Sequence, residues 1–318
     1  MIIAPLRGAP TPSLLARVAA GQVGGVLLLG NGWTSARTTA AAVARLQAVA
    51  CRRGSPLLVG VDQEGGSVRR LPWAAPTLAA AAMGTATEAH AQAAAAAPAL
   101  RQARVGIDFA PVADTISTPR SFLGTRSFGS DPSRVAQLAS AFVTGLQAGG
   151  VAATVKHFPG LGSAVASTDD RAVTISRNAA FLTARLAPFK AAIAAGAKLV
   201  MVSNASYPAL DQSGVQAVFS HAIVTGLLRD TLGFKGVVVT DALDAGAVAH
   251  VPDAPARALA AGVDLMLYSE TAASEAGYAS LVHDAAASAT VRAELSAAVQ
   301  QVNALKTWLA AHGGATCG

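Results

Sequence analysis

With 318 residues, 52% of them hydrophobic and 13% charged, the chain has ample material for a large core and no signature of disorder. The net charge of +6 is carried mainly by scattered arginines, without basic runs or interleaved aromatics. That argues against a nucleic-acid partner and leaves a mild attraction to anionic substrates or cell-wall polymers.

Apolar runs of strand character recur at residues 2–5, 25–29, 57–61, 107–112, 151–155, 198–202, 236–239 and 263–267. Between most of them lie Ala/Leu/Arg-rich segments with helical periodicity, for example 38–51, 179–195 and 222–232. The alanine-dense segment 78–100, interrupted by Gly84 and Pro98, is expected as a helix on the outside of the fold. Asp131 followed by Pro132 forms a helix start, and Gly149-Gly150 ends that helix before the next strand. Buried runs alternating with helices predict an α/β fold, a (β/α)8 TIM-type barrel, which takes about 250 residues. No Gly-x-Gly-x-x-Gly follows the first run, which counts against a dinucleotide-binding sheet. No Pro/Ser-rich hinge divides the chain, so residues 1–318 are expected to form one domain.

No apolar run approaches the roughly 18 residues of a membrane span, and no charged n-region precedes an apolar stretch. As it stands the chain reads as cytoplasmic, or as secreted or envelope-bound if an upstream export signal is missing. Cys51 and Cys317 cannot build a disulfide framework and lack metal-ligand spacing. They are expected to be without structural role, with one disulfide between them as the alternative.

In a parallel barrel the chemistry sits on loops after the C-terminal ends of the strands. The polar residues that close the apolar runs are Asp62, Asp114, Lys156-His157, Asn204, Asp241 and Glu270. One aspartate in such a place is usually only the cap of the next helix. Carboxylates combined with Lys and His on one face are a stronger signal. The most informative stretch is Lys156-His-Phe-Pro-Gly160, where a strand ends on two nitrogen donors and Pro-Gly stops the ladder.

Val61-Asp-Gln-Glu-Gly-Gly-Ser-Val-Arg-Arg-Leu71, Asp108-Phe-Ala-Pro-Val112, Arg126-Ser-Phe-Gly-Ser-Asp-Pro132, Lys156-His-Phe-Pro-Gly160 and Thr240-Asp-Ala-Leu-Asp244 occur in an informative order and spacing. In these motifs the chain resembles glycoside hydrolase family 3, in particular the single-domain β-N-acetylglucosaminidases (β-N-acetylhexosaminidases) of bacterial cell-wall recycling. The resemblance covers nearly the whole chain. It implies a barrel that acts on β-linked N-acetylglucosamine or glucose. Asp62, Arg70, Arg126, Lys156 and His157 match the family's sugar-binding residues, and Asp241 matches its nucleophile. A carboxylate that accepts from hydroxyls, flanked by Arg and Lys that donate to others, suits such a ligand. A nearby Lys156 is expected to help keep Asp241 ionised.

One loop departs from the family pattern. Where the family carries an Asp-x-His dyad, with the histidine as acid/base, this chain has Ser167-Thr168-Asp169. Asp169 is the candidate for the acid/base role, with Asp170 as the neighbour able to raise its pKa; the bland reading of the pair is a solvated loop tip. The implied function is a retaining glycoside hydrolase acting on peptidoglycan-derived or related β-glycosides. The alternatives are a catalytically weakened sugar- or muropeptide-binding protein on the same fold, and a β-glucosidase. No metal or organic cofactor is implied, and the protein is expected to act as a monomer.

Overall fold

The computed structural model describes residues 1–317. Eight parallel strands form one sheet: β1 (Ile2–Leu6), β2 (Gly25–Leu28), β3 (Leu58–Val61), β4 (Ile107–Asp108), β5 (Ala152–Phe158), β6 (Leu199–Val202), β7 (Val237–Thr240) and β8 (Met266–Leu267). Neighbours in sequence are neighbours in the sheet, and β8 returns to pair with β1. Between β7 and β8 the circle is closed by a parallel bridge, Val239 to Leu265. Two bonds continue that seam: Thr240 N–H donates to the Leu265 carbonyl at 3.0 Å and Leu267 N–H to Thr240 Oγ1 at 2.9 Å. The result is the expected TIM-type barrel. Val/Leu/Ile runs buried on both faces give this architecture, because a parallel sheet is covered outside by its crossover helices.

Helix starts follow local chemistry. Ser35 Oγ accepts from Thr38 N–H ahead of α1 (Ala36–Ala50), and Thr85 Oγ1 accepts from Glu88 N–H ahead of α2 (Ala86–Gln102). Asp131 caps α3 (Pro132–Ala148) by accepting from Ser133 N–H at 2.9 Å, as its sequence signature suggests.

Three helical expectations need correction. The alanine-dense segment becomes helical only from Ala86, because Thr85 caps there; before it lies a single short turn at Ala80–Ala82. The stretch 179–195 is two helices, α4 (Ala179–Ala184) and α5 (Ala187–Ala194), since Pro188 cannot donate into a preceding turn and starts a new one. Ala222–Thr231 is wound as a π-helix, with Thr231 Oγ1 bonding the Gly226 carbonyl at 2.8 Å.

The chain ends in two helices, α6 (Thr271–Ala287) and α7 (Ala289–Ala311), with Ser288 capping the second. Beyond α7 the tail turns back, and Cys317 forms a disulfide with Cys51 at a Cα–Cα distance of 5.1 Å. The cysteines therefore pair; their separation of 266 residues hid the contact from any reading of local spacing. Among the described residues no helix is long and apolar enough to cross a membrane.

Candidate active site

A cavity of about 340 Å³ opens at the C-terminal ends of the strands. Asp62, Arg70, Arg126, Lys156, His157, Asp169 and Asp241 all line it. They come from four stretches of chain far apart in sequence, brought together because parallel barrel strands deliver their following loops to one mouth.

Asp62 follows β3, and the chain then doubles back as a two-stranded ribbon, Gln63–Gly65 against Val68–Arg69. Gly65 and Gly66 make the turn at φ of 96° and 58°, a backbone region costly for residues with a Cβ. The return brings Arg70 beside Asp62, whose carbonyl accepts the Arg70 N–H at 3.4 Å. Gln63 holds the ribbon from below: its side chain bonds the Leu71 backbone in both directions, and its own N–H donates to buried Asp108 at 2.9 Å. Burial pushes the Asp108 carboxyl well above the usual range.

Lys156 and His157 are consecutive, and a regular strand would send them to opposite faces. Here the pairing of β5 with β6 shifts register between Val155 and Phe158, so both reach the cavity. Lys156 is 2% exposed. Its ammonium lies 2.7 Å from both Asp62 Oδ1 and Glu64 Oε1, and although burial opposes the charge, these carboxylates raise it to about 12. Glu64 also takes Arg126 in a two-pronged pair, 2.8 Å from Nε to Oε2 and 2.8 Å from Nη2 to Oε1. Burial alone would push the Glu64 carboxyl up; the Lys156 and Arg126 charges, with their hydrogen bonds, bring it down to about 2.

His157 is oriented by buried Asp114, which accepts from its Nδ1 at 2.7 Å, from its backbone N–H at 3.1 Å and from Leu161 N–H at 2.5 Å. With Nδ1–H committed to Asp114, Nε2 is the ring atom left for the cavity.

Asp241 follows β7, and its Oδ1 accepts from Ala242 N–H at 2.8 Å. Burial raises its pKa and the nearby Asp169 carboxylate adds to the rise, while His157 and, more weakly, Lys156 oppose it. Lys156 was expected to keep Asp241 ionised. It acts in that direction, but its charge is spent on Asp62 and Glu64 and burial prevails. Asp170, two residues beyond buried Thr168, does not line the cavity.

Sequence reasoning missed Glu64, although the signal was available: it lies two residues from Asp62 in an extended segment, hence on the same face. Asp114 had been noted as a strand-end carboxylate without its role behind His157. Asn204 is buried behind the cavity, donating to the Ala242 carbonyl at 2.8 Å. Glu270 stands apart in an exposed pair with Arg7. Phe122 and Ser269 also line the cavity without any sequence signal, and so does Asp244, which the motif Thr240-Asp-Ala-Leu-Asp244 contains but to which no role was given.

Five carboxylates (Asp62, Glu64, Asp169, Asp241, Asp244) face three cations (Arg70, Arg126, Lys156) in the cavity lining. The chain's net positive charge is therefore not expressed here. Among the described residues no group of three or more His, Cys, Asp or Glu side chains is arranged to hold a metal ion.

The chain matches the Glycosyl hydrolase family 3 N terminal domain over residues 7–305. It is 35% identical over 276 residues to a protein described as an uncharacterized secreted glycosyl hydrolase from Arthroderma benhamiae, covering 82% of this chain and 77% of that protein. It is also 35% identical over 264 residues to a beta-hexosaminidase of Stenotrophomonas maltophilia, covering 77% of this chain and 76% of that one. A glycoside hydrolase family 3 beta-N-acetylglucosaminidase from Paenibacillus superposes with a TM-score of 0.92 at 32% identity, over 99% of this chain. This chain spans 62% of the Paenibacillus protein's length.

Proposed function

The chain belongs to glycosyl hydrolase family 3, and from that premise we propose that it is a retaining β-N-acetylglucosaminidase acting on glycans derived from the bacterial cell wall. The observation that carries the reading is the convergence of Asp241, Asp169 and the five candidate sugar-binding residues on one cavity large enough for a sugar ring. The hexosaminidase and glucosaminidase descriptions of the relatives support the choice of sugar.

In this reading Asp241 attacks the anomeric carbon as the glycosidic bond breaks, while the Asp169 carboxylic acid gives its proton to the leaving oxygen. Asp169, now a carboxylate, takes a proton from water, the hydroxide oxygen adds to the anomeric carbon, and Asp241 departs. The net configuration is retained. Asp62 accepts from sugar hydroxyls, and Arg70, Arg126, Lys156 and His157 complete the first subsite. The Asp241 carboxylate itself, facing the anomeric carbon, stabilises the oxocarbenium-like transition state.

Ser167 and Asp169, standing where the family pattern has Asp-x-His, favour a second reading: a barrel that binds the sugar without turning it over. Nitrophenyl-β-N-acetylglucosaminide separates the two. Turnover releasing the β-anomer first, seen by proton NMR, supports the hydrolase. Binding by calorimetry without turnover establishes the binder. Faster turnover of the matching nitrophenyl glucoside moves the specificity to β-glucosidase.

The Cys51–Cys317 disulfide supports export to an oxidising compartment, since structural disulfides are rare in the cytosol, and one relative is described as secreted.

A further inference from the structure

Asp169 sits on an exposed loop, yet its backbone is tied to the segment that carries Asp241. Gly246 N–H donates to the Asp169 carbonyl at 2.7 Å, and Ala247 N–H donates to the Thr168 carbonyl at 3.0 Å. From the loop side, Ser167 Oγ accepts the Asp169 N–H at 3.1 Å. The approach is closest at Gly246. A Cβ placed there would stand 2.4 Å from the Asp170 carbonyl oxygen and 2.9 Å from that of Asp169. These atoms are backbone, so no side chain can swing aside to relieve the contact. Gly246 is not among the glycines with positive φ, so alanine there would suffer this contact and no backbone penalty of its own.

We infer that Gly246 is the positioning residue for the acid/base. By lacking a Cβ it lets the loop 167–170 dock on the segment after β7, and this two-bond backbone clamp holds the Asp169 carboxyl near Asp241 and over the scissile bond. The nucleophile and the acid/base are thus carried by two pieces of backbone locked to each other. This rests on the reading of Asp169 as the acid/base. A side chain at position 246 would displace the acid without touching the nucleophile, the sugar-binding residues or the substrate.

The test is Gly246→Ala, assayed against leaving groups of different basicity. Protonation of the leaving group by a positioned acid contributes about 10²–10⁴-fold, and an activated nitrophenolate needs little of it. Gly246→Ala is expected to lower kcat/KM for chitobiose or the methyl glycoside at least about tenfold while changing that for the nitrophenyl glycoside by less than about threefold. Added azide should accelerate nitrophenyl turnover in the variant and form the β-glycosyl azide. In the double variant with Asp169→Ala, the glycine change should bring no further loss.

Equal loss on all substrates, with a lowered melting temperature, would make Gly246 merely structural and overturn the inference. So would parent-like selectivity. Asp169→Ala is the separate arm: if it lacks leaving-group dependence, the acid/base reading itself fails, whereas dependence in Asp169→Ala alone removes only the clamp. Should Gly246→Ala not fold, hydrogen exchange in the parent decides. Protected amides at Gly246 and Ala247 are expected, and exchange at the rate of a free loop would overturn the clamp.

Discussion

Replacing Glu64 by glutamine removes one buried negative charge from between Lys156 and Arg126 while keeping the side chain's shape. The folded chain shifts this carboxyl from its ordinary 4.5 to about 2. Each unit corresponds to about 1.4 kcal/mol, so the ionised group contributes about 3 kcal/mol of stability near neutral pH. This agrees with the loss of about 3–5 kcal/mol expected when a buried pair is broken and a cation is left uncompensated. The sign of the pH dependence follows from the folded pKa being the lower one. The contribution is complete above the unfolded value of 4.5 and is lost as pH falls towards about 2. Around pH 3 only about half of it remains. Urea melts of parent and Glu64→Gln at constant ionic strength should therefore differ by about 3 kcal/mol near pH 7 and by roughly half of that near pH 3. A difference below about 1 kcal/mol near neutrality, or one independent of pH, would refute the claim that Glu64 is the shared counter-charge of Arg126 and Lys156.

Because burial raises the Asp241 pKa and the nucleophile works only when ionised, kcat/KM for the nitrophenyl glycoside should fall on the acid side at a pH above the ordinary carboxylate value of 3.8. A limb at or below that value would show that burial does not govern this carboxyl. Asp62→Ala should weaken N-acetylglucosamine binding by about 1.5–3 kcal/mol in calorimetry, the range for a charged hydrogen bond; unchanged affinity would remove Asp62 from the subsite. Cys51→Ser should lower stability by about 2–4 kcal/mol. The low end is expected, since the tail after α7 can detach before the barrel opens. Equal urea midpoints for the oxidised parent and the variant would show that the disulfide carries no stability.

The eight strands were legible from sequence because each is a short apolar run, buried on both faces and stopped by turn chemistry at its end. The strand-end residues Asp62, Lys156, His157 and Asp241 were legible for the same reason, since a parallel barrel leaves one end for chemistry. Local signals also placed the cap at Asp131. They failed where a distant partner decides. The pairing of Cys51 with Cys317 does not follow from any single window of sequence. Glu64 looked like one more polar residue of a motif, and only the tertiary structure sets it between Lys156 and Arg126. The register shift at Lys156-His157, which brings two consecutive side chains into one cavity, depends on the strand next to it. Gly246 shows the limit most clearly. In sequence it is an unremarked glycine in a small-residue stretch, and its meaning comes from the carbonyls of Asp169 and Asp170, which only the folded chain brings against it. Periodicity and turn chemistry act over a few residues and are written locally, whereas charge compensation and backbone approach act through space between segments that sequence alone does not bring together.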